Sequence, residues 1–227
     1  RIETSLVMSN PIHHPSTEML LEFSAGTLDT ATSLCISAHL HFCKSCRDEL
    51  MQLNEIGAQL MAGNEPEDID DSLLESVMSK IDAAESEPPV PVAKTSKTEF
   101  PFCIDKLFSK SEGSPVWRRL SKSVNIAQLA TGQDRYEVAL HRICAGGMTP
   151  EHDHHGTEYT VVLKGSFSDE KSVYKEGDFI VRNPGEVHQP MGAKNGECIC
   201  LSAQEAPIKL TSPLGFFLNP WLRVKPA

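Results

Sequence analysis

His39-Leu40-His41-Phe42-Cys43-Lys44-Ser45-Cys46 places a C-x-x-C pair behind a histidine four residues before the first thiol. Two thiolates and an imidazole are three of the four ligands that a tetrahedral zinc ion takes. On a continuous helix, positions 39, 43 and 46 stand at i, i+4 and i+7, so the spacing predicts that all three side chains emerge on one face. His14 or its neighbour His13 can return from an earlier helix to close the shell. Two buried free cysteines beside surface histidines are the bland alternative. The H-x-x-x-C spacing and the spare upstream imidazoles weigh against it.

Outward from this stretch the pattern is helical. Ser16 or Thr17 can cap a first helix carrying Met19, Leu20, Leu21 and Phe23, with Gly26 beyond its end. Asp29 or Thr30 opens a second, with Leu34, Ile36, Ala38, Leu40 and Phe42 at mixed spacing and hence a broad apolar face. A third runs from Cys43 through Leu50, Leu53, Ile56, Leu60 and Met61, at the spacing of one buried stripe. Ala62-Gly63-Asn64-Glu65-Pro66 breaks it. A fourth begins at Asp70-Asp71-Ser72 and carries Leu73, Leu74, Val77, Met78 and Ile81 on one face. An amphipathic helix beyond a breaker is suited to enter a groove on a partner, although such helices also fold back on their own module.

Residues 85–99 have the Pro-rich, polar composition of a linker. The expected division is a helical domain over 1–84, this linker, and a second domain over 100–227. Charge divides with it. Residues 1–99 hold 6 Lys and Arg against 17 Asp and Glu, whereas residues 100–227 hold 15 against 14. Such an acidic first half is a poor nucleic-acid binder, because phosphate contacts need a basic surface. It suits a basic protein partner.

No apolar run in the 227 residues approaches the ~20 needed to span a bilayer. Arg1 to Ser9 is short and polar for a secretory signal, and Met8 is an alternative initiator to Arg1. Seven cysteines, an odd number with two in a metal-like motif, favour reduced thiols over a secreted disulfide framework. A cytoplasmic protein that touches neither membrane nor nucleic acid is the expectation. Cys198-x-Cys200 shares one face of an expected strand, as core filler or as a redox pair.

Beyond the linker the period changes to two. Tyr136–Ile143, Glu158–Leu163, Lys171–Tyr174, Phe179–Arg182 and Glu197–Ser202 read as strands punctuated by Gly and Pro, the pattern of a sandwich or small barrel. Within them lies His152-Asp153-His154-His155-Gly156-Thr157-Glu158, with His188 further on. In a strand, even positions share a face, so His152, His154 and Glu158 can point inward while Asp153 points out. With His188 from a neighbouring strand they make a second metal set. Ligand type alone does not choose among zinc, iron, manganese, nickel and copper.

Here the resemblance to known families becomes specific. Gly146-x5-His152-x-His154-x3-Glu158-x6-Gly165 matches the first cupin motif at every anchor. Gly177-x6-Pro184-Gly185-x2-His188 resembles the second, with a one-residue difference in the spacing before the Pro. The N-terminal part resembles the zinc-binding anti-sigma domain, with His14, His39, Cys43 and Cys46 in the family's order. That register selects His14 over His13. The two modules in this order resemble the ChrR-type anti-sigma factors across nearly the whole chain. The resemblance implies a multidomain α + β chain, a zinc-stapled helical domain followed by a cupin (double-stranded β-helix) barrel with its own zinc or other divalent metal. It also implies inhibition of an extracytoplasmic-function sigma factor, with no turnover and with release under oxidative stress such as singlet oxygen. Leu73, Leu74, Val77, Met78 and Ile81 would then insert into the sigma factor, and the barrel would serve as sensor. The alternative is a dioxygenase-like cupin metalloenzyme whose helical domain recruits it to a partner protein.

Overall fold

The computed structural model describes residues 10–65, 67–84, 100–109, 114–212 and 219. The proposed linker, 85–99, lies outside them. Helices α1 (Thr17–Ser24), α2 (Thr30–Phe42), α3 (Lys44–Ala62) and α4 (Asp71–Ala83) form the N-terminal region. Their starts follow side-chain caps that satisfy amides otherwise left without a helical partner. Ser16 accepts from the Met19 amide at 3.3 Å, Asp29 from that of Thr32 at 2.9 Å and Asp70 from that of Ser72 at 2.8 Å. Past α1, Gly26 takes a left-handed φ of 70°, which a residue without Cβ adopts freely.

The α2–α3 boundary falls at Cys43, where the third helix was expected to begin, so the single helix face drawn for 39, 43 and 46 does not apply. Residues 39 to 46 do not form a continuous helix: Cys43 stands at φ −98° and ψ 108°, closing α2 and opening α3. His39 therefore comes from the last turn of α2, Cys43 from the junction and Cys46 from the first turn of α3. His14 comes from the non-helical segment before α1, not from a helix.

A fifth helix that the periodicity did not announce, α5 (Phe102–Ser109), leads into the β region. There the strands are β1 (Arg118–Arg119), β2 (Val124–Gln128), β3 (Glu137–Ile143), β4 (His152–His154), β5 (Glu158–Lys164), β6 (Ser166–Ser168), β7 (Val173–Lys175), β8 (Phe179–Arg182), β9 (Met191–Gly192), β10 (Cys198–Gln204) and β11 (Ile208–Leu210). The main sheet has the order β1-β2-β3-β10-β5-β8, all antiparallel. Two smaller sheets, β11-β4 and β7-β6-β9, complete the barrel.

Strand parity explains how the two regions pack. Along β10, Cys198 and Cys200 join Val124, Ile143, Val162, Phe167 and Ile180 inside the barrel. Ile199, Leu201 and Ala203 point the other way, into a cluster with Leu20, Cys35, Ile36, Ile104 and Phe108. The outer face of the sheet is thus covered by α2 and α5, and β10 is buried on both faces from Cys198 to Ala203. Helical module and barrel share one hydrophobic core. At the turn between β7 and β8 the approach is closest. A Cβ on Gly177 would lie 2.6 Å from both Phe42 Cβ and Pro11 Cγ.

Candidate metal centres

His14, His39, Cys43 and Cys46 converge, with ligand atoms within 4.8 Å of one another. His39 Nε2 lies 3.2 Å from Cys46 Sγ, and His14 Nδ1 lies 3.4 Å from each thiol sulfur. Zinc bonds of ~2.3 Å to sulfur and ~2.0 Å to nitrogen at the tetrahedral angle set S and N about 3.5 Å apart. The donor set and its dimensions fit a tetrahedral cation. His39, Cys43 and Cys46 are buried, whereas His14 is exposed and forms the outer wall.

Burial leaves this cluster poised for a metal. It lowers His39 to about 4, against the opposing hydrogen bond to the Gly177 carbonyl, so the imidazole is neutral at neutral pH. Burial, then the neighbouring Cys43 thiol, pushes Cys46 up to about 12. A thiolate there requires a cation in place of its proton. His39 Nδ1 donates to Gly177 O at 2.6 Å, which aims Nε2 at the sulfurs.

The second cluster is His152, His154 and His188, all buried. His188 Nε2 lies 3.1 Å from His152 Nε2 and 3.0 Å from His154 Nε2. Metal–nitrogen bonds of ~2.1 Å give edges of about 3.0 Å at right angles and about 3.4 Å in a tetrahedron. The two edges at His188 are of the size that ligands of one metal ion span, so the three imidazoles could hold a metal together. Outer partners fix two of the rings: His152 Nδ1 faces Pro150 O at 2.8 Å, and His188 Nδ1 faces the Asp169 carboxylate at 3.4 Å.

Glu158 is placed differently from the expectation. It does not continue the strand of His152 and His154 but opens β5, across the Gly156 turn and in a different sheet. Its carboxylate still reaches the cluster, with Oε2 3.5 Å from His154 Nε2 and Oε1 accepting from Gln204 at 2.9 Å. Burial would raise its pKa, but the imidazoles of His154, His152 and His141 and the Gln204 amide lower it on balance. The carboxylate is an anion ready to join a cation.

A cavity of about 290 Å³ opens onto this cluster, lined by apolar groups such as Ile143, Phe167, Ile180 and Leu210 beside His152, Glu158 and His188. Cys200 also lines it; its Sγ is 3.6 Å from that of Cys198. The contact with the Cys198 thiol, and then burial, raise the Cys200 pKa well above its usual value, which disfavours the thiolate. His41 and His155 are exposed and stand outside both clusters.

Sequence reasoning missed the groups behind the ligands. Arg182 Nη2 donates to Asp169 Oδ2 at 2.5 Å and to the Tyr174 hydroxyl at 2.6 Å, and all three residues are buried or nearly so. Burial would raise Asp169, but Arg182 and the Lys171 and Ser172 amides hold it at about 2. No motif flags these residues, because their alignment arises only in the folded barrel.

Two buried imidazoles give a pH expectation. His39 and His188, the latter lowered by burial and then by His152, both sit at about 4, below the ~6.5 of an exposed histidine. Between those values the unfolded chain binds protons that the fold refuses. Stability of the metal-free protein is therefore full above pH 6.5 and falls as pH drops toward 4. Denaturant midpoints across this window measure the slope, which becomes shallower in His188→Gln.

The comparisons agree with this architecture. Residues 112–207 match the family model described as the ChrR cupin-like domain. The anti-sigma-E factor ChrR of Cereibacter sphaeroides is 32% identical over 212 residues, covering 93% of this chain and 98% of that protein. The crystal structure of Rhodobacter sphaeroides SigE in complex with the anti-sigma ChrR superposes with a TM-score of 0.70 at 31% identity, over 85% of this chain and 98% of the matched one. The chain belongs to the ChrR family of anti-sigma factors.

Proposed function

We propose that this protein binds and inhibits an extracytoplasmic-function sigma factor in the cytoplasm, and that its barrel is the sensor whose state sets release. The observation that carries the reading is an unpartnered apolar stripe on an acidic module. Leu73, Leu74, Val77, Met78 and Ile81 of α4 are each 44–63% exposed, and Met51, Ile56, Leu60 and Met61 of α3 lie open as well. Several large apolar side chains exposed on one helix are the kind of surface that marks an interaction site. The relative that this chain matches along nearly its whole length is named for inhibiting a sigma factor, and its structure was solved with one. Acidic residues around the stripe would steer it to a basic sigma surface.

In this reading zinc is the metal of His14, His39, Cys43 and Cys46, a closed set of four protein ligands with a structural role. It would pin α1, the α2–α3 junction and the segment before α1. The barrel would hold zinc or another divalent transition metal on His152, His154 and His188, with Glu158 as fourth ligand. A metal held there would supply Lewis-acid or redox chemistry at the cavity that His152, Glu158 and His188 line, the place where an oxidative stress such as singlet oxygen would be sensed. Among the described residues no helix is long and apolar enough to cross a membrane.

Co-expression with a candidate sigma factor tests the proposal. A stable one-to-one complex that represses transcription from the cognate promoter is the expected result. Metal-dependent turnover of a small molecule with no sigma binding would replace it with the metalloenzyme reading.

A further inference from the structure

The β7–β8 segment, whose two strands belong to different sheets, touches both metal clusters. On one side its turn holds the zinc module. The buried Asp178 Oδ1 accepts from the Ile12 amide at 2.8 Å and the His13 amide at 3.0 Å, one residue before ligand His14. The Phe179 amide donates to His13 O at 2.9 Å, and the Gly177 carbonyl accepts from ligand His39. On the other side, β7 carries Tyr174 and β8 carries Arg182. Both hydrogen-bond Asp169, and its carboxylate faces Nδ1 of the barrel ligand His188. The His13 ring packs on Tyr174 with centroids 4.9 Å apart, which closes the path between the clusters.

Plain packing would not require this chemistry. Burying a carboxylate is costly unless its oxygens are hydrogen-bonded. Asp178 meets that cost with three amides, two of them from the segment carrying His14 and one from Lys175. Its position therefore specifies the position of residues 12 and 13, as an outer-shell group specifies a ligand.

We propose that the β7–β8 segment is an outer shell common to both metal centres, so that a metal bound in the barrel tightens metal binding by His14, His39, Cys43 and Cys46. The barrel metal fixes His188, which fixes Asp169, Arg182 and Tyr174 and hence the shelf on which His13 rests. By linkage, zinc in the N-terminal cluster tightens the barrel metal by the same factor. The inference rests on reading both clusters as metal centres and adds that the barrel regulates the staple directly.

Competition with a chromophoric chelator measures zinc affinity of the N-terminal cluster in the full chain. Asp178→Ala is expected to lower it roughly 10–100-fold. Asp178→Asn, which keeps an acceptor oxygen for the two amides, restores most of the loss. Retained barrel metal in both variants shows that the barrel is folded. Emptying the barrel with His154→Ala, a residue outside the β7–β8 segment, lowers zinc affinity at least ~5-fold. Tyr174→Phe keeps the ring under His13 but removes the hydroxyl link to Arg182 and Asp169, and in that background His154→Ala has no further effect. Unchanged zinc affinity in His154→Ala overturns the proposal, as does unchanged affinity in Asp178→Ala or a His154→Ala effect that persists in full with Tyr174→Phe. Wild-type protein that binds only one metal would instead remove the two-centre reading beneath it.

Discussion

Cys46→Ala is expected to strip one metal ion from the chain and loosen the helical module while the barrel keeps its own metal. The thiol supplies the only ligand from α3, so its loss disconnects that helix from the α2 end and from the segment before α1. Structural zinc contributes on the order of 10–16 kcal/mol in small zinc-folded peptides, and four-ligand sites owe this to closed shells. Removing a direct ligand should therefore exceed the roughly 100-fold loss that follows removal of an outer partner. Elemental analysis is the measurement: two metals per chain in wild type, one in Cys46→Ala and one in His154→Ala. Loss of the same single metal from both variants would mean that a site is misassigned. The shared core predicts that the damage stays local. Ile36, Cys35 and Leu20 remain packed against β10 and β5, so the barrel and α2 stay folded while α3 and α4 lose their orientation.

Leu74→Asp is expected to weaken sigma-factor binding by about 100-fold or more without altering the fold. The side chain is 63% exposed in the free protein, so a carboxylate there costs little stability. In the complex the same position would be enclosed by apolar groups, where an unpaired charge costs several kcal/mol. A central apolar anchor of such an interface carries a disproportionate share of the affinity. Titration against the sigma partner, with the unfolding midpoint as a control, gives the result. Equal affinity for wild type and variant would show that α4 lies outside the interface.

Much of this molecule is legible in local spacing. The helix caps at Ser16, Asp29 and Asp70, the change of period after the linker and the inward parity of His152 and His154 all follow from rules that act over a few residues. The break at Cys43 lies where the third helix was expected to start, and only the one-face reading of 39, 43 and 46 fails, because i, i+4, i+7 spacing fits a junction as well as a helix face. A metal that draws Cys43 and Cys46 toward His14 is better served by the junction. Glu158 failed as a same-strand residue because Gly156 turns the chain between it and His154, although its carboxylate reaches the same cluster.

By itself the sequence determined which side chains can ligate metal, which helices are amphipathic and which half of the chain is acidic, since composition and periodicity encode these directly. Only the tertiary structure decided what covers each face and what stands behind each ligand. His13 and His14 are adjacent and chemically identical, yet one joins the thiols while the other rests on Tyr174. The outer face of β10 meets α2 and α5 instead of water. His39 leans on a carbonyl 138 residues away, and Ile12 on a carboxylate 166 residues away. Periodicity states that a face will be buried or a polar group paired. The partner is chosen by packing across the whole chain, which no local pattern records.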